Sequence, residues 1–284
     1  MVTPSFEIVR PVVGDSPVLV EVPHAGMGLD ATSAGWIEAP TCYLAREADL
    51  DVDRLFAGAP RLGATLVVAH VSRMVVDLNR GPDDYDGVTV LGGPDRNQPR
   101  GVIWRLTSDG RAVHRDRLPQ DELERRLELH YRPYHQALRR EIDAKRDQFG
   151  FAVMLCAHSM PTPRRIGPAD GTAERPADLV PGTRGGTSAA PQWIDRVDRT
   201  CRDRGYRVTH DQPYRGGFAT SHYGRPADDV HVVQLEIGRW LYMDETTFAP
   251  KPEGFAQVTR LADQLVADLV AQATARAQRP GGVT

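Results

Sequence analysis

The sequence predicts an α/β protein, with a mixed, mostly parallel central sheet and helices on both faces. Short apolar, β-branched runs recur along the 284 residues, with stretches of helical period between them. That alternation is what a parallel sheet covered on both sides requires. Several runs end in His, or in Asp, Asn and Arg, and ligands of open α/β sheets bind at such carboxyl ends. No linker divides the chain, so one domain is expected.

Taken in order, Pro17-Val18-Leu19-Val20-Glu21-Val22-Pro23-His24-Ala25-Gly26 reads as a short buried strand that stops at Pro-His-x-Gly. A helix is expected near 43–61. Its acidic cluster, Glu47-Ala48-Asp49-Leu50-Asp51-Val52-Asp53, lies where acids complement the helix dipole. A strand over 65–78 ends in Met74-Val75-Val76-Asp77-Leu78-Asn79-Arg80, after Ser72-Arg73. A loop rich in Gly, Pro and Asp covers 81–101, and a short strand 102–106. The long helix expected over 119–148 sets Leu123, Leu127, Tyr131, Tyr134, Leu138 and Ile142 along one face. Pro133 should kink or divide it, because a proline inside a helix removes a backbone hydrogen bond.

The run Phe151-Ala152-Val153-Met154-Leu155-Cys156-Ala157-His158-Ser159-Met160-Pro161 repeats the grammar of the first strand, a buried stretch and then His. A second long loop, 161–190, suits a mobile cover by its Pro, Gly, Arg and Asp content. A helix over 191–205, a strand over 206–209, a Gly-rich loop, a strand over 230–237 and a helix over 252–275 follow. The tail, 279–284, is expected to be disordered.

Composition narrows the function. The net charge is −3, from 35 basic and 38 acidic residues, with no lysine-rich tract, so nucleic acid is not an expected partner. The apolar runs are too short to span a bilayer, and the first residues lack the basic and apolar regions of a signal peptide. Cys42, Cys156 and Cys201 form no CxxC pair, which fits a reduced cytoplasm without disulfides. A monomer or homodimer in the cytoplasm is the expectation.

The polar strand ends suggest a chemistry. Arg80 suits a carboxylate, because its planar fork makes two parallel charge-assisted hydrogen bonds; the structural alternative is an Arg–Asp pair closing the strand. His24 and His158 at two strand ends suit a zinc ion, or else hydrogen-bonded core histidines. One acid of the 47–53 cluster would complete a ligand set. Glu236, inside the apolar run Val232-Val233-Gln234-Leu235-Glu236-Ile237, is costly to bury unpaired. It reads either as a partner of Arg239 or as a general base beside a metal-activated water.

These segments together resemble the N-formylglutamate amidohydrolase (deformylase) family. The resemblance runs in collinear order through Val22-Pro23-His24-Ala25-Gly26, Asp49-x-x-Val52-Asp53 and Ser72-Arg73-x-Val75-Val76-Asp77-Leu78-Asn79-Arg80. It continues through Arg132-Pro133-Tyr134-His135, Ala157-His158-Ser159-Met160, and Gly216-Gly217-Phe218-x-Thr220-x-His222-Tyr223-Gly224-Arg225-Pro226. Gln234-Leu235-Glu236-Ile237, followed by Leu241-Tyr242-Met243-Asp244-Glu245, completes it.

The family is similar to the zinc carboxypeptidases, which implies a zinc carboxypeptidase/phosphorylase-hydrolase-like fold and one α/β metallohydrolase domain over 1–278. It also implies one Zn²⁺ per chain, bound by His24 and His158, with Glu236 as general base and Asn79-Arg80 holding the substrate carboxylate. In the carboxypeptidases the third ligand is a Glu three residues after the first His. Met27 stands there in this chain, so Asp49 is assigned the place, with Asp53 as its alternative. The expected reaction is hydrolysis of N-formylglutamate, a small acidic N-acyl amino acid, to formate and glutamate. Its two carboxylates call for two basic subsites, drawn from Arg73, Arg80 and Arg225, with His222 on the loop opposite. Two positions depart from the family pattern: Ser221 stands for an Arg, and Cys156 for an Asp two residues before the second His. They leave two alternatives open, an amidohydrolase for another N-formyl or N-acyl amino acid and a binding protein without turnover.

Overall fold

The structure, a computed structural model, describes residues 4–162 and 177–278. Among them, six strands form one sheet in the order β1-β3-β2-β4-β6-β5: β1 Phe6–Val9, β2 Val18–Val22, β3 Thr65–Ala69, β4 Ala152–Met160, β5 Leu179–Gly182 and β6 Val230–Gly238. The four inner strands β3, β2, β4 and β6 run parallel, and β1 and β5 pair antiparallel at the edges.

Alternation along the strands builds two cores. Val18, Val20 and Val22 of β2, Val153, Leu155 and Ala157 of β4, and Val233, Leu235 and Ile237 of β6 face one side. They pack there on α3 (Val52–Leu55), α6 (Pro191–Asp203) and α8 (Pro252–Ala277). Leu19, Met154, Cys156 and Val232 face the other, against α4 (Gln120–Arg126), α5 (Arg132–Phe149) and α7 (Phe218–Tyr223). Two further short helices, α1 (Ala31–Trp36) and α2 (Cys42–Glu47), lie between β2 and β3 in the chain. No helix among the described residues is long and apolar enough to cross a membrane.

Several local expectations need correction. Strand β3 stops at Ala69, and Met74 to Leu78 is a buried turn-rich segment. Its apolar side chains report burial, which a packed loop satisfies as well as a ladder does. The helix expected over 43–61 is three short pieces, α2, α3 and a 3₁₀ turn at Ala59–Leu62. Asp51 between the first two has φ 64°, which no helix tolerates. Residues 102–106 and 206–209 make only isolated bridges. Strand β5 lies inside the stretch expected to be loop, hidden by its Pro181 and Gly182, and edge strand β1 was also missed. Much of the expected mobile cover, 163–176, and the tail, 279–284, lie outside the described residues. The long helix is continuous, but a π-turn at Leu127–Tyr131 precedes Pro133, which sits in the first turn of α5. Inside a continuous helix Pro133 has no N–H to bond the turn before it, and the π-turn just ahead of it is where the helix departs from the α repeat.

Candidate metal centre and active-site cleft

His24 follows β2 directly, and His158 lies in the last turn of pleat of β4, so both imidazoles stand at the carboxyl edge of the sheet. Gly26 lets the chain leave His24: a Cβ there would lie 2.3 Å from the His70 carbonyl carbon. The backbone N–H of Asp49 donates to the His24 carbonyl (2.9 Å), which brings the 47–53 segment to the same place. His24, Asp49 and His158 converge in a buried group whose ligand atoms lie within 4.8 Å of one another. Asp49, not Asp53, occupies the third position, and Met27 is exposed.

The hydrogen bonds around this group prepare it for a cation. His24 Nε2 lies 2.8 Å from Asp77 Oδ1, and an ionised carboxylate only accepts, so Nε2 bears the proton. The buried Nδ1 then has no hydrogen-bond partner and faces Asp49 Oδ2 at 3.6 Å. His158 Nδ1 approaches the same Oδ2 at 3.0 Å. The other oxygen, Oδ1, accepts from Arg239 (3.1 Å) and Ser159 (3.2 Å). One carboxylate oxygen and two imidazole nitrogens thus point into one spot, an open three-ligand set of the kind divalent metals take. Burial alone would raise the Asp49 carboxyl, but the hydrogen bond from His158 and the closeness of His24 outweigh it and hold it well below the usual carboxylate range. Burial likewise works against Asp77, and the charge of Arg73 and the hydrogen bond from His24 keep it ionised.

Parallel register sets His158 beside Glu236 and Cys156 beside Gln234. Burial pushes the Glu236 carboxyl up, against the pull of His158 and with the push of Asp49. Arg239 is not its partner: that guanidinium serves Asp49, Ser159 and the Arg46 carbonyl. The partner of Glu236 is Gln234, whose Nε2 donates to Oε1 at 2.8 Å. Cys156 points at Glu21, to which its thiol donates (2.8 Å), and burial keeps that thiol protonated. It is a core residue.

A cleft of about 1200 Å³ opens over the group. Arg73, Asn79 and Arg80 line it, and so do Arg46, Arg100 and Arg215. Arg73 is held by two bonds to Asp77 (2.7 and 3.1 Å) and lies 4.4 Å over the Trp104 ring, so the Arg–Asp pair that the sequence allowed is formed by Arg73, leaving Arg80 without a side-chain hydrogen bond among the described residues. Asn79 donates toward His158 Nε2 and Gln234 and accepts from the Ala219 N–H. His222 and Arg225 do not line the cleft. His222 stacks on Phe218 and meets Arg139, and Arg225 pairs with Asp228. Ser221 is exposed and turns its hydroxyl back to the Gly217 and Phe218 carbonyls. Sequence reasoning passed over Asp77, Gln234 and the cleft-lining Arg215, and gave Arg239 to Glu236 where the structure gives it to Asp49. Asp77 and Gln234 carried a signal, their places inside the Ser72–Arg80 and Gln234–Ile237 motifs.

A buried His–Asp–His group that could hold a cation, with a raised carboxyl beside it at the carboxyl edge of a mixed sheet, suits a hydrolase of the α/β class. The chain belongs to the N-formylglutamate amidohydrolase family, whose model matches residues 16–243. It is 35% identical over 274 residues to the N-formylglutamate deformylase of Pseudomonas putida, covering 94% of this chain and 97% of that one. To the N-formylglutamate deformylase of Pseudomonas aeruginosa it is 33% identical, covering 87% and 90%. The crystal structure of N-formylglutamate amidohydrolase from Ralstonia eutropha JMP134 superimposes with a TM-score of 0.86 at 30% identity, over 96% of this chain and 99% of that one. A protein of Agrobacterium tumefaciens shares the fold at 18% identity and TM-score 0.66, over 95% and 96%.

Proposed function

We propose that the protein hydrolyses N-formylglutamate to formate and glutamate with one zinc ion per chain. The observation that carries this reading is the meeting of His24 Nδ1, His158 Nδ1 and Asp49 Oδ2 at one buried spot beside Glu236. His24, Asp49 and His158 would hold the ion; two imidazoles and one carboxylate with a position left open is a set zinc favours in catalytic sites. When bound, zinc supplies Lewis acidity there, polarising a carbonyl and bringing the pKa of water to roughly 7.

The chain's own residues do the rest. Arg80 grips the α-carboxylate with its two-pronged donor face, and Asn79 beside it is immobilised by the Ala219 N–H. The second carboxylate goes to Arg215, which lines the cleft and makes no side-chain hydrogen bond among the described residues. This replaces Arg225 in that role. Arg73, fixed by Asp77, keeps a positive charge on the wall where the oxyanion develops. Glu236 takes a proton from the attacking water and hands it to the leaving amine, a task that a buried, raised carboxyl suits. Water adds to the formyl carbon, the C–N bond breaks, and the amine leaves protonated. The free thiols of Cys42, Cys156 and Cys201 fit a reducing cytoplasm.

The test is formate release from N-formylglutamate by purified protein, with bound metals quantified. Turnover with one zinc per chain is expected. Hydrolysis of other N-formyl or N-acetyl amino acids with N-formylglutamate inert would transfer the reading to another acyl amino acid. Binding without turnover by zinc-loaded protein would leave a binding protein.

A further inference from the structure

Gln234 is buried and sits at the meeting point of three parts of the site. Its Oε1 accepts from the Gly217 backbone N–H (2.8 Å) and lies 3.3 Å from both Asn79 Nδ2 and Thr220 Oγ1. These donors fix the orientation of the amide, because only its oxygen can face an N–H. The Nε2 end is thereby turned to Glu236 and donates to Oε1. Chain geometry protects the arrangement: a Cβ on Gly217 would lie 2.4 Å from Asn79 Nδ2, so only glycine brings that N–H to Gln234.

We infer that Gln234 is a positioning residue for the proposed base. It occupies Glu236 Oε1 and presents Oε2, which accepts no hydrogen bond among the described residues, as the oxygen that takes and returns the proton. The same amide ties Glu236 to Asn79 and to the start of α7, so base and carboxylate grip share one rigid mount. An oxygen already engaged by a fixed donor cannot swing toward the reacting water, and the proton therefore travels through one oxygen throughout the cycle. The inference rests on Glu236 being the base.

Two substitutions separate the two ends of the amide. Gln234→Glu keeps the length and still accepts from Gly217 N–H, but it replaces the fixed amide donor by a second carboxyl that must share or compete for the proton of Glu236. Gln234→Leu removes both acceptor and donor. Each is compared with Glu236→Gln and with the double variants, with thermal unfolding and zinc content measured on every protein. We expect Gln234→Glu to lower kcat about 10- to 100-fold, the scale of losing a hydrogen bond to a charged group, with KM and zinc content within about threefold of the parent, the spread expected where ground-state binding is untouched. In the Glu236→Gln background the same change should cost less than about threefold, since residues acting through one another are not additive. Gln234→Leu should behave alike if it folds, and Gln234→Glu decides if it does not. Additive losses, or a higher KM with kcat intact, would overturn the positioning role. Near-normal turnover by Glu236→Gln itself would instead remove the base, and the proposed mechanism with it.

Discussion

Asp77 Oδ1 stands 2.8 Å from His24 Nε2, and both side chains are buried. This carboxylate does not face the cation position; it sets which nitrogen of His24 does. Its remaining capacity is filled by Arg73, the Trp104 indole N–H and the Asn79 N–H, so it cannot turn away. Asp77→Asn should weaken zinc binding by about 10- to 100-fold, the usual cost of losing such an outer partner. Competition with a chromogenic chelator measures it, and added zinc should restore most of the turnover. Unchanged affinity would reduce Asp77 to an anchor for Arg73.

His24→Ala and Asp49→Ala should each abolish zinc retention through dialysis against chelator. Zinc uptake by the parent should release protons. The Asp49 hydrogen bond and the Glu236 charge raise His158 despite its burial, and a ligating imidazole must give up the proton on its binding nitrogen. Apparent zinc affinity should therefore rise with pH through the upper titration of His158. Affinity independent of pH would remove His158 Nδ1 from the ligand set.

Glu236→Gln retains the shape and removes the base. Zinc content should persist while turnover falls by about 10²- to 10⁴-fold. Loss of zinc would place Glu236 among the ligands instead.

Arg80→Lys keeps the charge and loses the fork, and kcat/KM should fall by about 1.5–3 kcal/mol equivalent. Arg215→Gln should act differently, lowering kcat/KM for N-formylglutamate more than for N-formylglutamine, which has the same shape without the second charge. Equal losses on the two substrates would show that Arg215 does not read the side-chain carboxylate.

Away from the cleft, His114 accepts from the buried Arg126 through Nε2 (3.0 Å). Burial, helped by the Arg126 charge, pushes its pKa down to about 3. The folded imidazole stays neutral where the unfolded one, with an ordinary value of 6.5, is already protonated. Between those values the unfolded chain binds more protons, so this contribution to stability is complete above the unfolded value and is lost as pH falls toward the folded one. Urea unfolding at pH 7.5 and 5 should show a smaller loss in His114→Gln than in the parent. Parallel losses would mean that the pH dependence originates elsewhere.

The sequence reveals His24, His158 and Glu236 because each follows or interrupts an apolar run that really is a central strand, where alternation and burial leave few other placements. Asp49 was found by a gap, the absent acid at Met27. What stayed hidden depends on contacts between distant segments. Arg239 reaches back to Asp49 across 190 positions, and no local pattern announces it. The motif holding His222 and Arg225 reads in sequence as a substrate loop, and neither side chain lines the cleft. In the fold that motif brings Gly217 N–H and Ala219 N–H to Gln234 and Asn79, contacts that its glycines and backbone make. Leu179 to Gly182 could not be told from loop, since Pro and Gly are tolerated at a sheet edge and the pairing partner lies far along the chain.

The π-turn at Leu127–Tyr131 has a consequence for how this protein tolerates change. One surplus residue in a helical turn rotates everything beyond it by about 100° relative to what precedes it. Leu123 of α4 enters the core before that offset, and Tyr131 at the end of the π-turn donates its hydroxyl to the Arg80 carbonyl (2.7 Å). Deleting a single residue there would force an ordinary α repeat onto a stretch that includes Pro133, which has no N–H to give, and the two halves would no longer agree on which way is inward. The segment bearing Arg80 would lose its brace. In this stretch, chain length is as much a specification as side-chain chemistry, and variants should accept substitution at the solvent-facing Glu128 far more readily than any insertion or deletion beside it.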